Sequence, residues 1–112
     1  MAYSVSKAAV LSLSRAFADR YAGRGVLVNA IAPGPVGSPL WIAPGGLADQ
    51  VAALQGSTRE QVLERTAQGI PVGRLASEHE VASVIAFLCS EAASYVAGSA
   101  WSVDGGIVQV II

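Results

Sequence analysis

The chain has 112 residues, the length of one domain, and only 13% of them are charged, where about 25% is usual for soluble proteins. Its mean hydropathy of +0.52 predicts surface that another structure covers. The net charge of −1 excludes a basic nucleic-acid-binding face, and the single cysteine, Cys89, excludes a disulfide framework. The sequence has neither an apolar run of membrane-spanning length nor a signal-peptide pattern, so we expect a cytoplasmic protein.

The first predicted helix runs from about Tyr3 to Ala22 and opens with Tyr3-Ser4-Val5-Ser6-Lys7. Residues four apart on a helix lie on the same face, so Tyr3 and Lys7 present a phenol and an ammonium to one ligand. A phenol ordinarily has a pKa near ~10, and a neighbouring cation lowers the pKa of a phenol by favouring its charged form. The pair is therefore a candidate for acid–base chemistry, although this spacing is also common by chance.

Two faces of the same helix are predicted to pack against other structure. Apolar side chains recur at helical spacing along one stripe, which consists of Val10, Leu13, Phe17 and Tyr21. Small side chains that would admit a close neighbour form the second face, which consists of Ala8, Ala9, Ser12 and Ala16. We expect Gly23 or Gly25 to end the helix.

A near-continuous apolar run over residues 26–32 predicts a strand buried on both faces, as in a parallel sheet covered by helices. Asn29 interrupts this run, and a buried amide needs hydrogen-bond partners. Residues 33–39 are rich in proline and glycine and predict a turn at the carboxyl end of the strand. Ligands bind at that end in open α/β sheets, although an ordinary loop explains the composition equally well.

Residues 39–70 resemble an insertion before the next core element, which is where lids over substrate sites are found. Leu40 opens the segment, and Trp41 is either a wall of a substrate site or a core anchor. Ser57 and Glu60 stand in capping-box register for the second of two helices. The first of these helices carries Leu47, Val51 and Leu54.

Another capping box, Ser77 with Glu80, predicts the last helix. One apolar face of this helix consists of Val81, Val84, Ile85 and Leu88. His79 lies in its first turn and is interpreted as a surface residue, whereas Cys89 is interpreted as core. A strand is predicted over residues 99–103, and the apolar tail over 107–112 has a strand-like pattern.

The predicted fold class is α/β, because strand, helical crossover and strand make one parallel βαβ unit. Two strands are too few for a parallel sheet, so we expect the C-terminal part of a Rossmann-like doubly wound parallel sheet. No glycine-rich phosphate loop follows a strand, and the N-terminal cofactor-binding half is expected to be absent. Residues 1–38 would hold the catalytic helix, strand and cofactor loop, 39–70 the substrate lid, and 71–112 the last helix, strand and tail.

Four motifs in order resemble the C-terminal portion of a short-chain dehydrogenase/reductase, of the kind that includes 3-oxoacyl-carrier-protein reductases. They are Tyr3-Ser4-Val5-Ser6-Lys7-Ala8-Ala9, Val28-Asn29-Ala30-Ile31-Ala32-Pro33-Gly34, Gly73-Arg74 before a capped helix, and Val103-Asp104-Gly105-Gly106. Each motif alone is weak, but their order across nearly the whole chain is highly specific.

The resemblance implies an NAD(P)-dependent oxidoreductase that interconverts a carbonyl and an alcohol. Tyr3 would be the general acid/base, and Lys7 would hold the nicotinamide ribose and activate Tyr3. The nicotinamide side of the site would be lined by Pro33, Gly34 and Val36, and Tyr3 and Ser38 would also contact the cofactor. Ser38 stands where the family usually has a threonine. The catalytic serine, the structural asparagine and the cofactor loop that precede the tyrosine in the family do not occur here, so we expect the chain alone to be inactive.

The resemblance also implies NAD or NADP as cofactor, a small carbonyl or alcohol substrate, and a homo-oligomeric full-length form, with neither nucleic acid nor membrane as partner. The residue that selects between NAD and NADP follows an earlier strand. Two other interpretations stay open. One is a non-catalytic remnant that acts as an association module through its first helix and tail. The other is an unrelated small α/β binding protein, which the ordered motifs disfavour.

Overall fold

The computed structural model describes residues 1–109. This part of the chain contains five α-helices: α1 (Ala2–Tyr21), α2 (Pro39–Ile42), α3 (Leu47–Gln55), α4 (Arg59–Gln68) and α5 (Glu78–Leu88). It also contains two strands, β1 (Ala30–Pro33) and β2 (Ala100–Val103), and two short 3₁₀ turns, Ala22–Arg24 and Glu91–Ala93.

The two strands form a parallel pair. The Ala30 N–H donates to the Ser99 carbonyl at 2.9 Å, and the Gly34 N–H donates to the Val103 carbonyl at 3.1 Å. Both partners advance by four residues, which is the pattern of a parallel ladder. Because α5 lies between β1 and β2 in the chain, the predicted α/β class and strand–helix–strand order are confirmed.

The chain divides into two compact units, which we describe separately. The first unit consists of Met1–Ala32 and Val84–Trp101, and the second of Pro33–Ser83 with the chain from Ser102.

In the first unit, α1 matches the predicted helix to within one residue at each end. The chain then passes through the turn Ala22–Arg24, and Gly25 ends it with a φ of 80° in the left-handed region that favours glycine. The expectation that Gly23 or Gly25 ends the helix is therefore wrong for α1 itself, whose C-cap is Ala22, and Gly25 ends the 3₁₀ turn that follows. Ala18 is the buried residue of α1, so the predicted apolar stripe of this helix lies open.

The predicted strand over residues 26–32 is wrong at its start, since β1 begins at Ala30. Burial on both faces is wrong as well, because Val26 is 51% exposed and Leu27 is 39% exposed. The physical reason is that β2 is the one strand that pairs with β1 among the described residues. The need of Asn29 for partners is confirmed: its Nδ2 donates to the Val96 carbonyl at 2.8 Å, and its Oδ1 accepts the Ser99 N–H at 3.0 Å.

The second unit has a buried cluster within its helical segment. The cluster is formed by Ala48, Ala52 and Val62, with Trp41, Val51 and Leu63 packed against it. The predicted helix residue Leu54 lies outside this core and is 88% exposed. The cluster joins α3 to α4, so residues 39–70 have a core of their own.

The capping box of α4 lies one residue later than predicted. The Thr58 hydroxyl accepts the Gln61 N–H at 3.2 Å, and the Gln61 side chain accepts the Thr58 N–H at 3.1 Å. Thr58 has the extended backbone of an N-cap (φ −92°, ψ 158°), so Ser57 and Glu60 do not fill these positions. Ser57 with Glu60 and Thr58 with Gln61 both have the residue types and spacing of a capping box. Spacing alone therefore could not distinguish them.

The capping box of α5 is confirmed. Glu80 N–H donates to the Ser77 hydroxyl at 3.2 Å, and Ser77 N–H donates to the Glu80 carboxylate at 2.8 Å. His79 is exposed as predicted, but Cys89 is also exposed, and its prediction as core is wrong because no described segment covers it. The strand-like pattern of the tail is wrong over residues 107–109, and its remainder, 110–112, lies outside the described residues.

Candidate active site

The predicted Tyr3 and Lys7 pair lies on one face of α1. The Lys7 Nζ is 5.4 Å from the centroid of the Tyr3 ring, close enough for a cation–π contact. Tyr3 is 74% exposed and Lys7 is also exposed, so both polar ends can reach a ligand. Sequence spacing therefore predicted this juxtaposition correctly.

The first turn of α1 places this pair at the positive end of the helix. The Val5 N–H bonds to the Met1 carbonyl at 3.2 Å, and the Ser6 hydroxyl donates to the Tyr3 carbonyl at 2.7 Å. The first turn contains no acidic side chain. The helix dipole and the Lys7 ammonium together give this end a positive potential, which attracts anionic groups.

The second unit contains the predicted cofactor loop, residues 33–38, which begins at the last residue of β1. The Gly34 N–H bonds to the Val103 carbonyl at 3.1 Å. A Cβ on Gly34 would lie 2.8 Å from the Cα of Asp104, closer than such contacts occur. A glycine is therefore needed at this position because the loop passes against the backbone that follows β2.

The other side of the loop is bonded to the segment before α5. Val36 forms a parallel bridge with Ala76. The Ala76 N–H donates to the Pro35 carbonyl at 3.0 Å, and the Gly37 N–H donates to the Ala76 carbonyl at 2.8 Å. The backbone of the loop is thus fixed on both sides, which leaves its exposed atoms in a defined arrangement.

Ser38 ends the loop and is the N-cap residue of α2. Its N–H donates to the Val36 carbonyl at 2.7 Å, while its side chain makes no capping hydrogen bond. Leu40 is 67% exposed, whereas Trp41 packs against the buried cluster of α3 and α4. This packing supports the interpretation of Trp41 as a core anchor. A role of Leu40 or Trp41 as a wall of a substrate site stays a prediction.

An ion pair between Arg74 and Glu80 was not predicted from the sequence. Arg74 Nη1 donates to Glu80 Oε2 at 2.9 Å and Nη2 donates to Oε1 at 2.7 Å, a bidentate arrangement. The Arg74 guanidinium, together with the N–H and hydroxyl of Ser77, lowers the pKa of Glu80 from 4.5 to about 2. The one feature of the sequence that could have indicated this ion pair is the position of Arg74 shortly before the capping box.

Asp104 closes the turn after β2. Its carboxylate accepts the Val108 N–H and the Gly106 N–H, both at 3.0 Å, and these bonds lower the pKa of Asp104. A cleft of about 280 Å³ is lined in part by Asp104, Arg74 and Glu80. The charged groups at this cleft already have partners, so we assign it no ligand.

The described residues, 1–109, contain neither a cluster of metal-ligating side chains nor a helix of membrane-spanning character. This range holds no group of three or more histidine, cysteine, aspartate or glutamate side chains placed to bind a metal ion. None of its helices combines the length and the apolar character needed to cross a bilayer.

Comparison with known proteins identifies the family. Residues 1–108 match the family model described as enoyl-(acyl carrier protein) reductase. The chain is 44% identical over 108 residues to cis-4-hydroxycyclohexanecarboxylate dehydrogenase of Sinomonas cyclohexanicum, covering 96% of this chain and 38% of that protein. The chain therefore spans well under half the length of this curated relative.

Two solved structures have the same architecture. A short chain dehydrogenase family protein from Francisella tularensis superposes with a TM-score of 0.88 at 26% identity, covering 96% of this chain and 43% of its own. L-sorbose reductase from Gluconobacter frateurii, solved with NADPH and L-sorbose, superposes with a TM-score of 0.85 at 35% identity, covering 97% and 41%. The predicted Rossmann-like fold is confirmed as a partial one, and the chain belongs to the short-chain dehydrogenase/reductase family.

Proposed function

We propose that this chain supplies the acid–base helix and the nicotinamide loop of an NAD(P)-dependent oxidoreductase that interconverts a carbonyl and an alcohol. The observation that carries the proposal is the Tyr3 and Lys7 pair, with 5.4 Å between the ammonium and the ring centroid. The match of residues 1–108 to an oxidoreductase family supports it.

The residues of the chain have distinct roles in the proposed reaction. When bound, the nicotinamide cofactor would supply a hydride to the carbonyl carbon in reduction and would accept one from the alcohol carbon in oxidation. Tyr3 Oη donates a proton to the carbonyl oxygen in reduction and takes one from the alcohol in oxidation. The Lys7 ammonium binds the ribose and stabilises the negative charge that develops on the phenol.

The loop residues fit the nicotinamide side of the cofactor. We propose that this side is lined by Pro33, Gly34, Val36 and Ser38. Support comes from the loop backbone, which is bonded on both sides, and from the Ser38 side chain, which makes no capping bond. Residues 1–109 contain no glycine-rich phosphate loop, and we propose that the pyrophosphate is bound by residues outside this range.

The proposal is tested with a fusion in which this chain follows the upstream part of the Sinomonas dehydrogenase. We expect the fusion to oxidise NADPH or NADH with a carbonyl substrate, and the 112-residue chain alone to show no turnover. Lys7→Arg in the fusion should lower kcat about tenfold or more, because a guanidinium fork does not replace a compact ammonium. A soluble fusion that binds cofactor but turns over no carbonyl or alcohol would contradict the proposed function.

A second candidate function, association without catalysis, is favoured by one observation. The apolar side chains of α1 are uncovered, with Val10 at 55%, Leu13 at 57% and Phe17 at 45% exposure. In the proposed enzyme these side chains are covered by additional chain or by another subunit, in a cytoplasmic homo-oligomer. Because both candidates associate, sedimentation is combined with the turnover of the fusion: an association module assembles with a partner while its fusion remains inactive, whereas the proposed enzyme assembles and turns over substrate.

A further inference from the structure

The proposed nicotinamide loop depends on Ala76 for its position. Ala76 N–H donates to the Pro35 carbonyl at 3.0 Å, and the Ala76 carbonyl accepts the Gly37 N–H at 2.8 Å. Two hydrogen bonds of this kind fix both the distance and the register between two backbone segments. A displacement of Ala76 therefore displaces the loop.

Ala76 itself lies between two residues that one carboxylate holds. Arg74 precedes it and forms the bidentate pair with Glu80, at 2.9 and 2.7 Å. Ser77 follows it and donates its N–H to the same carboxylate at 2.8 Å and its hydroxyl at 3.1 Å. Arg74 Nη1 also donates to the Leu75 carbonyl at 3.1 Å. The short segment that contains Ala76 is thus fixed at both ends.

We infer that Arg74 and Glu80 are positioning residues, which hold the nicotinamide loop through Ala76. This inference rests on the proposed function, because the ligand of the loop is the proposed cofactor. The two side chains are 58% and 44% exposed, and exposed ion pairs contribute little to overall stability. We therefore expect the pair to act on the segment around Ala76, to which its hydrogen bonds join it, rather than on the stability of the whole chain.

Two variants separate the ion pair from the helix cap. Glu80→Gln keeps an oxygen that accepts the Ser77 N–H, as glutamine does in capping boxes, but it loses the charged fork. Arg74→Lys keeps the positive charge without the planar fork. The matched control is Arg59→Lys, which alters the 3.7 Å ion pair with Asp49 in the helical segment of the same unit.

The first measurement is residue-resolved amide exchange in the 112-residue chain. We expect the amides of Gly37 and Ala76 to exchange about tenfold faster in Glu80→Gln, with a smaller increase in Arg74→Lys. The amide of Ala52 should be unchanged in both variants. Arg59→Lys should leave all three amides at the rates of the parent.

The second measurement uses the fusion described above. We expect Glu80→Gln to raise the KM for the cofactor about tenfold while kcat at saturating cofactor stays within about twofold, because uniform binding is lost. Arg74→Lys, which keeps the positive charge, should raise the KM for the cofactor less than Glu80→Gln does. A structural defect that merely reduced the amount of folded enzyme would lower kcat without changing KM.

Three outcomes are decisive. Unchanged exchange of the Gly37 and Ala76 amides in both variants would overturn the inference, whatever the fusion does. Faster exchange with an unaltered cofactor KM would also overturn it, because the loop would then not hold the cofactor. A parent fusion without turnover contradicts the proposed function instead, and the exchange rates still decide whether the ion pair holds the loop.

Discussion

Two helical regions of this chain obtain their order in different ways. α1 has 20 residues, yet Ala18 is its one buried residue. α3 and α4 have 9 and 10 residues, and three of their side chains form a buried cluster. Isolated helices shorter than about 12–15 residues are marginal in water, so α3 and α4 depend on that cluster. An apolar pattern predicts where a helix forms, whereas burial depends on which neighbour is present.

The difference bears on function because the proposed acid–base pair lies on the uncovered region. Tyr3 and Lys7 belong to α1, while the proposed lid, residues 39–70, has its own core. If residues 39–70 act as a lid, the cluster predicts that they move as one body rather than by local unfolding. Helix α1, by contrast, needs cover for its apolar stripe if it is to form part of a rigid site.

An aspartate introduced at an apolar position should have very different effects on stability in the two regions. Val62 is 4% exposed in the cluster, so Val62→Asp buries an unpaired carboxylate and should cost about 3 kcal/mol or more in unfolding free energy. Leu13 is 57% exposed on α1, and Leu13→Asp should change stability by less than about 0.5 kcal/mol while reducing self-association. Urea unfolding measures the change in stability, and sedimentation measures the change in self-association. Equal losses of stability in Val62→Asp and Leu13→Asp would contradict the difference in burial between the two regions.

Two glycines differ in the space that is available for a side chain, one in each unit of the chain. A Cβ at Gly105 would meet Ile70 at 2.6 Å, and its φ of +65° is unfavourable for other residues. Gly105→Ala should therefore cost about 1–3 kcal/mol. Gly23, directly after α1, has nothing within 4 Å, and Gly23→Ala should be neutral or stabilise by up to about 1 kcal/mol. Thermal unfolding that ranks the two variants in the reverse order would contradict the packing described here.

The smallest expected effect on the free energy of unfolding concerns two exposed ion pairs. The pKa of Glu80 falls from 4.5 to about 2 because of Arg74 and Ser77. Since the folded pKa is the lower one, the ionised carboxylate stabilises the folded chain above about pH 4.5, and this contribution is lost as the pH falls to about 2. On α1, Asp19→Asn removes the 2.7 Å pair with Arg15 and should change the free energy of unfolding little, because both side chains are more than half exposed.

Urea midpoints measured as a function of pH test this prediction. The parent should lose stability more steeply than Glu80→Gln across this acid range, although Asp104, whose pKa is also lowered, contributes to both curves. Parallel curves for the parent and Glu80→Gln would show that the ion pair does not stabilise the folded state.

Local patterns in the sequence predicted much of the fold. The spacing of apolar residues located α1 and α5, and the isolated amide of Asn29 correctly required hydrogen-bond partners. The cap of α4 was displaced by one residue because Ser57 and Thr58 are both competent N-caps. The spacing of residues locates a helix cap where one residue can fill the position. It does not locate the cap where two neighbouring residues have the same capping chemistry.

Burial and long-range pairing could not be predicted in the same way. The run over residues 26–32 has the composition of a buried strand, but pairing gives it strand structure only from Ala30. Tyr3 and Lys7 were found because helix geometry brings residues four apart together. Arg74 and Glu80 are six apart across a turn, and no repeating geometry joins such a pair. The part of the site that depends on the turn therefore became visible only in the structure.

The most direct test of the account is the rate of hydride transfer in the fusion with Tyr3→Phe, compared with Tyr95→Phe. Tyr95 is 101% exposed and serves as a matched control, since both variants lose one phenolic hydroxyl. We predict that Tyr3→Phe lowers kcat about hundredfold or more, because the proton donor is lost, while Tyr95→Phe matches the parent. A kcat for Tyr3→Phe within about threefold of the parent, a range too small for the loss of a general acid, would contradict the assignment of Tyr3 as the acid–base residue.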